Sequence, residues 1–165
     1  MAQAKRGAAR DPALELWVVL ARAFDAVARH ARASVAGFGL GETEFGVLEA
    51  LYHKGALPVC EVQRRILVES SSTTYVVDKL VTRGLVRRER SADDRRVILL
   101  QLTARGRGLM DRIFPPHADV IRAAVGALSP RDQARATRLI RKLGLGAARA
   151  LREPHPPAAT ADASS

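Results

Sequence analysis

Apolar residues recur three and four positions apart at Leu14, Trp17, Ala21, Phe24, Ala28, Ala31 and Val35. That spacing lays one apolar stripe along a helix of about 24 residues. Asp11 followed by Pro12 supplies an acidic cap and a first-turn proline, and Gly37, Gly39 and Gly41 end the pattern. So long a helix in a small domain needs a large surface to pack on, another subunit included. A second helix is expected from a Thr43 cap through Phe45, Val47, Leu48, Leu51 and Tyr52 to Gly55. Pro58 opens a short third helix, VCEVQRRIL (59–67). Ser70, Ser71, Ser72, Thr73 and Thr74 are rich in helix-capping hydroxyls. A fourth helix follows, carrying Tyr75, Val76, Val77, Lys79 and Leu80, and stops at Gly84.

The period then changes. LVRRER (85–90) reads as a strand, SADDR (91–95) as a polar turn and RVILLQL (96–102) as the returning strand. Two short helices joined by a turn, followed by a hairpin, make a winged helix-turn-helix. Thr103 caps a long helix through Leu109, Ile113, Val120, Ile121 and Val125, which Pro115-Pro116 should kink or interrupt. Ser129-Pro130 starts a last helix with Leu139, Ile140 and Leu143 on its buried side. The fold class is mainly α with a small β-hairpin wing, the winged helix-turn-helix occupying 43–107. Residues 1–11 read as a flexible basic arm, and 153–165, rich in Pro, Ala and Ser, as a disordered tail.

Charge narrows the function. The 165 residues carry a formal +10, which suggests a polyanionic partner, nucleic acid before an acidic membrane surface. Aromatics are only 4% of the chain, too few for platforms that stack single-stranded bases. Residues 79–107 hold nine Lys/Arg against three acids, and 129–152 hold seven against one. The second surplus reads equally as a solvated helix face. The first falls on a turn-and-strand pattern and suggests a docking surface.

A single cysteine, Cys60, excludes an internal disulfide and fits a reducing cytosol. MAQAKRGAARDP has no apolar run of the kind a secretory signal needs, and no window of about 18 residues is free of charge. A cytoplasmic protein without a membrane segment is expected. His30, His53, His117 and His155 are scattered, and Cys60 has no partner at metal-ligand spacing. Ser71 and Ser72 have no nearby histidine, no glycine-rich loop follows a strand, and adjacent Asp93-Asp94 make a poor acid/base pair. The reading is a binding protein with no metal and no cofactor, not an enzyme.

In a winged helix only the hairpin tip reaches beyond the body. Val97 to Leu100 can anchor the returning strand, letting Arg95 or Arg96 enter a minor groove. Asp94 would repel DNA unless it binds a nearby arginine or the turn backbone and fixes the arginine's direction. The bland alternative is an exposed ionic turn. Hydroxyls and free N–H groups at the start of the fourth helix suit phosphates. Ser72, Thr73 and Tyr75 are within reach of base edges, and Lys79 and Arg83 of phosphate. For the serines, ordinary capping is the alternative.

DRRVILLQLTARG (94–106) resembles the wing signature of the MarR family of bacterial winged-helix regulators: Asp, any residue, Arg, a hydrophobic strand, Leu-Thr and a Gly three later. TYVVDKLVTRGLVRR (74–88) resembles the family's recognition helix and first wing strand. The likeness spans about residues 12–150. It matches Asp94 to the wing aspartate and Arg96 to the wing arginine. Many members carry a basic residue where Tyr75 stands. EFGVLEALYHKG (44–55) with YVVDKL (75–80) resembles a subgroup of repressors that answer quinones and other electrophiles.

The resemblance implies a homodimer, its interlocking helices drawn from 12–36 and 108–152. It implies double-stranded DNA as partner, as a near-palindrome with half-sites about one turn apart, and a repressor released by a small molecule or by oxidation. It also implies an effector pocket between the dimerisation helices and the winged body, for which Trp17, Phe24, Phe45, Tyr52, His53 and Phe114 are candidates. His53 beside Tyr52 would suit a phenol or carboxylate. Core packing is the plain alternative for these residues. Cys60 lies away from the first helix, where the family's cysteine sensors carry their thiol, and is expected to be buried and inert. A redox-sensing Cys60 is one rival. A winged helix that binds protein or RNA is another.

Overall fold

The computed structural model describes residues 11–66, 70–92 and 94–152. The expected arm (save Asp11), the expected tail, Leu67, Asp93 and the side chains of Ser70 to Thr73 lie outside the described residues. Two compact units divide between Ala124 and Val125.

Helix α1 runs Pro12–Ala36, and Asp11 Oδ1 accepts the Ala13 N–H at 2.9 Å. It packs on α5. Only Ala28 and Val35 of its stripe are buried; Leu14, Trp17 and Phe24 stay exposed. Helix α2 is Glu42–Lys54, capped at Gly41 and not at Thr43. The correction has a local cause. Glu44, three residues into the helix, reaches back so that its Oε2 accepts the Gly41 N–H at 2.8 Å, which fixes the first turn two residues early. Gly55 ends the helix at a φ of 78°, a backbone that glycine adopts readily.

Strand β1, Leu57–Pro58, pairs antiparallel with Leu100 and Leu99 of the wing. Two residues carry no periodic signal, so the sequence does not announce this strand. Helix α3 is Val59–Arg65, shorter than expected because Ile66 is already extended. Helix α4 is Ser70–Thr82, so the hydroxyl run is its first turn and not a cap preceding it. The chain turns at Gly84, where the Leu85 N–H bonds back to the Leu80 carbonyl at 3.0 Å.

Strands β2 (Val86–Arg90) and β3 (Ile98–Leu102) form the wing, in register from Val86↔Leu102 to Arg90↔Ile98, and the sheet order is β1-β3-β2. Thr103 then caps α5 (Ala104–Ala124), its Oγ1 accepting the Gly106 N–H at 3.0 Å and donating to the Gly84 carbonyl at 2.7 Å. Gly106 is pressed on the backbone at the root of β2. A Cβ there would lie 2.0 Å from the Leu85 carbonyl oxygen. The Leu-Thr-x-x-Gly closure of the wing motif is therefore a joint between wing and helix.

Helix α5 passes through Pro115 and Pro116 without the expected interruption. The prolines leave the carbonyls of Asp111 and Arg112 without helical donors. All four residues are exposed, on the side of α5 open to solvent, while Met110, Ile113 and His117 stay buried along the other side.

The core joins Val47, Leu48 and Leu51 of α2 to Val62, Val77, Leu80, Leu100, Met110 and Ile113, all essentially fully buried. It holds α4 and the wing on one scaffold. In the second unit α6 spans Pro130–Ala150, with Ser129 Oγ accepting the Asp132 N–H at 3.2 Å. No residue of α6 is buried. Leu139, Ile140 and Leu143, expected on a buried side, are exposed. The periodicity identifies an apolar face correctly but does not say that one chain covers it.

Candidate DNA interface and effector cavity

Val76, Val77 and Leu80 bury one face of α4 against the core. The opposite face presents Thr74, Tyr75, Asp78 and Lys79. Tyr75 is 71% exposed, a large ring without cover on the face that a recognition helix offers to a groove. Lys79 and Arg83, expected at phosphates, converge on one oxygen. Lys79 Nζ lies 3.2 Å and Arg83 Nη1 3.0 Å from Glu44 Oε1, and Arg83 also donates to the Gly39 carbonyl at 3.3 Å.

Glu44 itself is 5% exposed. Burial pushes its carboxyl up, but the Gly41 N–H and the Lys79 and Arg83 cations outweigh that and hold it below the usual value. The acid is ionised, fully bonded, and ties α4 to α2. Lysine carries three N–H donors and the guanidinium five. With side chains 48% and 34% exposed, both retain donors for a phosphate.

A second pair ties α4 to the wing: Arg88 donates to Asp78 Oδ1 at 2.6 Å. At the tip the Ser91 N–H bonds the Val97 carbonyl and the Val97 N–H bonds the Asp94 carbonyl, each at 2.9 Å. Asp94 Oδ1 accepts the Arg96 backbone N–H at 3.0 Å and Nε at 3.1 Å, while Oδ2 accepts Nη2 at 3.1 Å. These bonds hold the Asp94 carboxyl below its usual range. The fork occupies one edge of the guanidinium and leaves the other edge outward, on a side chain 91% exposed. Arg95 is exposed beside it. Asp94 thus bonds both a neighbouring arginine and the turn backbone.

Cys60 is exposed, contrary to the buried thiol expected. Val62 is the buried residue of α3, and a residue two positions away points about 200° round the helix. Nearby, Glu61 is paired with Arg64 and with Arg65, the latter at 2.7 Å.

A cavity of about 500 Å³ opens among α1, α2, α3 and α5. Phe24, Ala28, Val35, Phe45 and Ile66 give it apolar walls; Arg32, Glu49, His53, Arg65 and His117 give it polar ones. Of the residues proposed from sequence, Phe24, Phe45 and His53 line it. Tyr52 and Phe114 pack against His53, at centroid distances of 5.3 and 4.6 Å, and Tyr52 donates to Asp111 at 2.8 Å. Trp17 is 67% exposed and not in the lining.

His117 is the buried base of this cavity. Its ring stacks 4.5 Å from Phe45, and Nδ1 is 2.7 Å from Ser34 Oγ. Ser34 Oγ also lies 2.7 Å from the Ala31 carbonyl, so the hydroxyl links the ring to the backbone of α1. Burial pushes the imidazole pKa down, Glu49 opposing, and keeps the ring neutral.

Residues 40–98 match the sequence pattern of the MarR family. The HTH-type transcriptional regulator MhqR of Bacillus subtilis is 41% identical over 137 residues, 83% of this chain and 94% of that protein. The chain belongs to the MarR family. It is a DNA-binding transcriptional regulator, not an enzyme. The fold agrees. Sco3205, a MarR family regulator from Streptomyces coelicolor solved in complex with DNA, superposes with a TM-score of 0.74 at 24% identity, over 85% of this chain and 93% of that one. BpsR of Bordetella bronchiseptica, whose DNA binding is regulated by 6-hydroxynicotinic acid, superposes at 0.71 and 23% identity, over 83% and 98%.

Within this MarR-family chain, sequence reasoning missed two residues. Glu44 was hidden by the misplaced Thr43 cap. His117 stands in sequence as one of four scattered histidines, although it continues the stripe of Met110 and Ile113 at helical spacing. A histidine inside an apolar stripe was the available signal. Among the described residues no cluster of His, Cys, Asp or Glu suits a metal ion, and no helix is long and apolar enough to cross a membrane.

Proposed function

We propose that this MarR-family regulator is a cytoplasmic, homodimeric repressor of a near-palindromic operator, released when a small hydroxylated aromatic molecule occupies the cavity of α1, α2 and α5. The observation that carries the reading is the double use of α2. Phe45 and Glu49 face the cavity, while Glu44 holds Lys79 of the recognition helix and Arg83 just past its end. A ligand that turns α2 thereby moves α4. Phe24 and Phe45 hold the ring, the His117 imidazole hydrogen-bonds a hydroxyl, and Arg32 or Arg65 pairs with a carboxylate. Phenols, hydroquinones and hydroxylated aromatic acids fit that set. The regulation of BpsR by 6-hydroxynicotinic acid supports the class.

On DNA, the first turn of α4 (Ser70, Ser71, Ser72, Thr73) meets phosphate, Thr74 and Tyr75 reach base edges, and Arg96 enters the minor groove while Arg95 lies on its phosphate wall. Exposed Leu14, Trp17 and Phe24 on α1 support a second copy as their cover. A duplex taken from beside the chain's own gene tests the reading by fluorescence anisotropy. Binding should weaken steeply with salt and be relieved by a hydroxylated aromatic acid or hydroquinone. A monomer indifferent to duplexes at low salt would instead be a protein- or RNA-binding winged helix.

The exposure of Cys60 favours a second reading, release by thiol oxidation. With one thiol per chain, oxidation needs a partner chain or a small-thiol adduct. Cys60→Ser abolishes a peroxide or quinone response under this reading and leaves it intact under the first.

A further inference from the structure

Helix α6 carries a cationic face outside the operator contacts and effector cavity proposed above. Arg131, Arg135, Arg138, Lys142, Arg149 and, just past its end, Arg152 alternate in steps of four and three, broken only at Leu145. Such a repeat keeps all six on one side of a helix. At 1.5 Å per residue the stripe is about 31 Å long. Arg141 flanks it, and Asp132 is the helix's only acid. All seven cations are exposed. Among the described residues none of them is in an ion pair, whereas most of the charged residues of α2 to α4 and the wing are. Asp132 turns back on the Ser129 cap at 2.6 Å and neutralises none of them. Of the apolar residues, Ile140 falls opposite the stripe, Leu143 to one side of it and Leu139 next to Arg135.

Seven uncompensated charges within 22 residues repel one another at a cost to the helix, and a polyanion would relieve that repulsion. Guanidinium groups dominate, and their planar fork matches phosphate oxygens in pairs. Cations about one turn apart, roughly 5 Å, follow a phosphate backbone at close to its own spacing. No aromatic residue lies on α6, which disfavours both single-strand stacking and the Trp- or Phe-anchored interfacial helices of membranes.

We propose that the arginine stripe of α6 is a second, sequence-independent seat for double-stranded DNA, separate from the recognition helix and wing. It holds flanking or neighbouring duplex by its phosphates and reads no bases.

The test uses the full chain, a fluorescent 30-base-pair duplex of scrambled sequence, the operator duplex and vesicles rich in phosphatidylserine. The triple variant Arg138→Ala, Arg141→Ala, Lys142→Ala should bind the scrambled duplex about tenfold more weakly at 0.1 M salt, its salt slope shallower by about 2 to 3. Its preference for operator over scrambled sequence should be unchanged. Alanine preserves the helix, which circular dichroism confirms, and sedimentation shows whether the oligomeric state is kept. If that state changes, Arg138→Gln with Lys142→Gln, which keeps the Cβ–Cγ–Cδ stem and removes the charge, must give the same loss in proportion. Wild-type affinity and slope in these variants would overturn the proposal, as would loss of vesicle binding with duplex binding intact. Failure of the wild-type chain to prefer any operator would count against the wing and recognition helix and leave this test standing.

Discussion

Glu44 and Arg83, 39 residues apart, meet at 3.0 Å through a carboxylate that is almost wholly buried. With Lys79 on the same oxygen at 3.2 Å, this contact ties α4 to the start of α2. Glu44→Ala should destabilise the chain by about 1–3 kcal/mol, since it removes a buried acceptor from charged donors. Urea midpoints measure that loss. Operator affinity should fall as well, through the loosened α4. A variant as stable as wild type and as tight on DNA would show the contact to be idle.

The same acid gives a pH dependence. Its folded-state pKa lies below the ordinary 4.5, so its contribution is fully present above that value. It is lost as pH falls through the folded value. The Glu44→Gln variant should lose less stability than wild type between pH 5 and the acid transition.

Asp94→Ala should leave thermal stability within about 0.5 kcal/mol of wild type, as expected for an exposed turn, yet weaken operator binding because the Arg96 guanidinium is no longer aimed. Arg96→Ala should weaken binding by about 1–3 kcal/mol. Once Arg96 is gone, adding Asp94→Ala should cost nothing more, and two separate losses that add would refute the aiming role.

Two glycines of α5 should respond in opposite directions. Gly106→Ala drives a methyl onto the Leu85 carbonyl and should cost about 3 kcal/mol. Gly108→Ala meets nothing within 4 Å and should stabilise by about 0.5–1 kcal/mol. Thermal melts of the two variants decide it.

His117 resists protonation in the folded chain because it is buried. The unfolded chain takes up a proton near 6.5, so stability is flat above that pH and declines below it, until the folded value is passed. His117→Phe should remove the decline between pH 7.5 and 5.5 and should also abolish binding of a hydroxylated aromatic effector.

The winged helix was readable because its signals are local. The change from a three-and-four period to alternation at residue 85, the SADDR turn and the Thr103 cap each fall within a few residues. The Asp94 clasp was readable for the same reason, spanning three positions. What escaped depends on distance along the chain. Strand β1 exists only because Leu57 finds Leu100. Glu44 acquires its meaning from Lys79 and Arg83, and His117 from Ser34. Cys60 was misjudged because a seven-residue helix gives too few positions to fix which side faces inward. The apolar faces of α1 and α6 were found, but periodicity marks a face without saying what covers it.

Gly106 lets α5 rest directly on the chain where the first wing strand begins, with Thr103 pinned across the same gap. Wing and helix therefore behave as one lever. A tilt of α5 about that joint, on the side beside His117 included, is passed on to the hairpin that carries Arg96. On the proposed docking, an adjustment deep in the protein would thus reach the DNA-facing tip with no moving part in between.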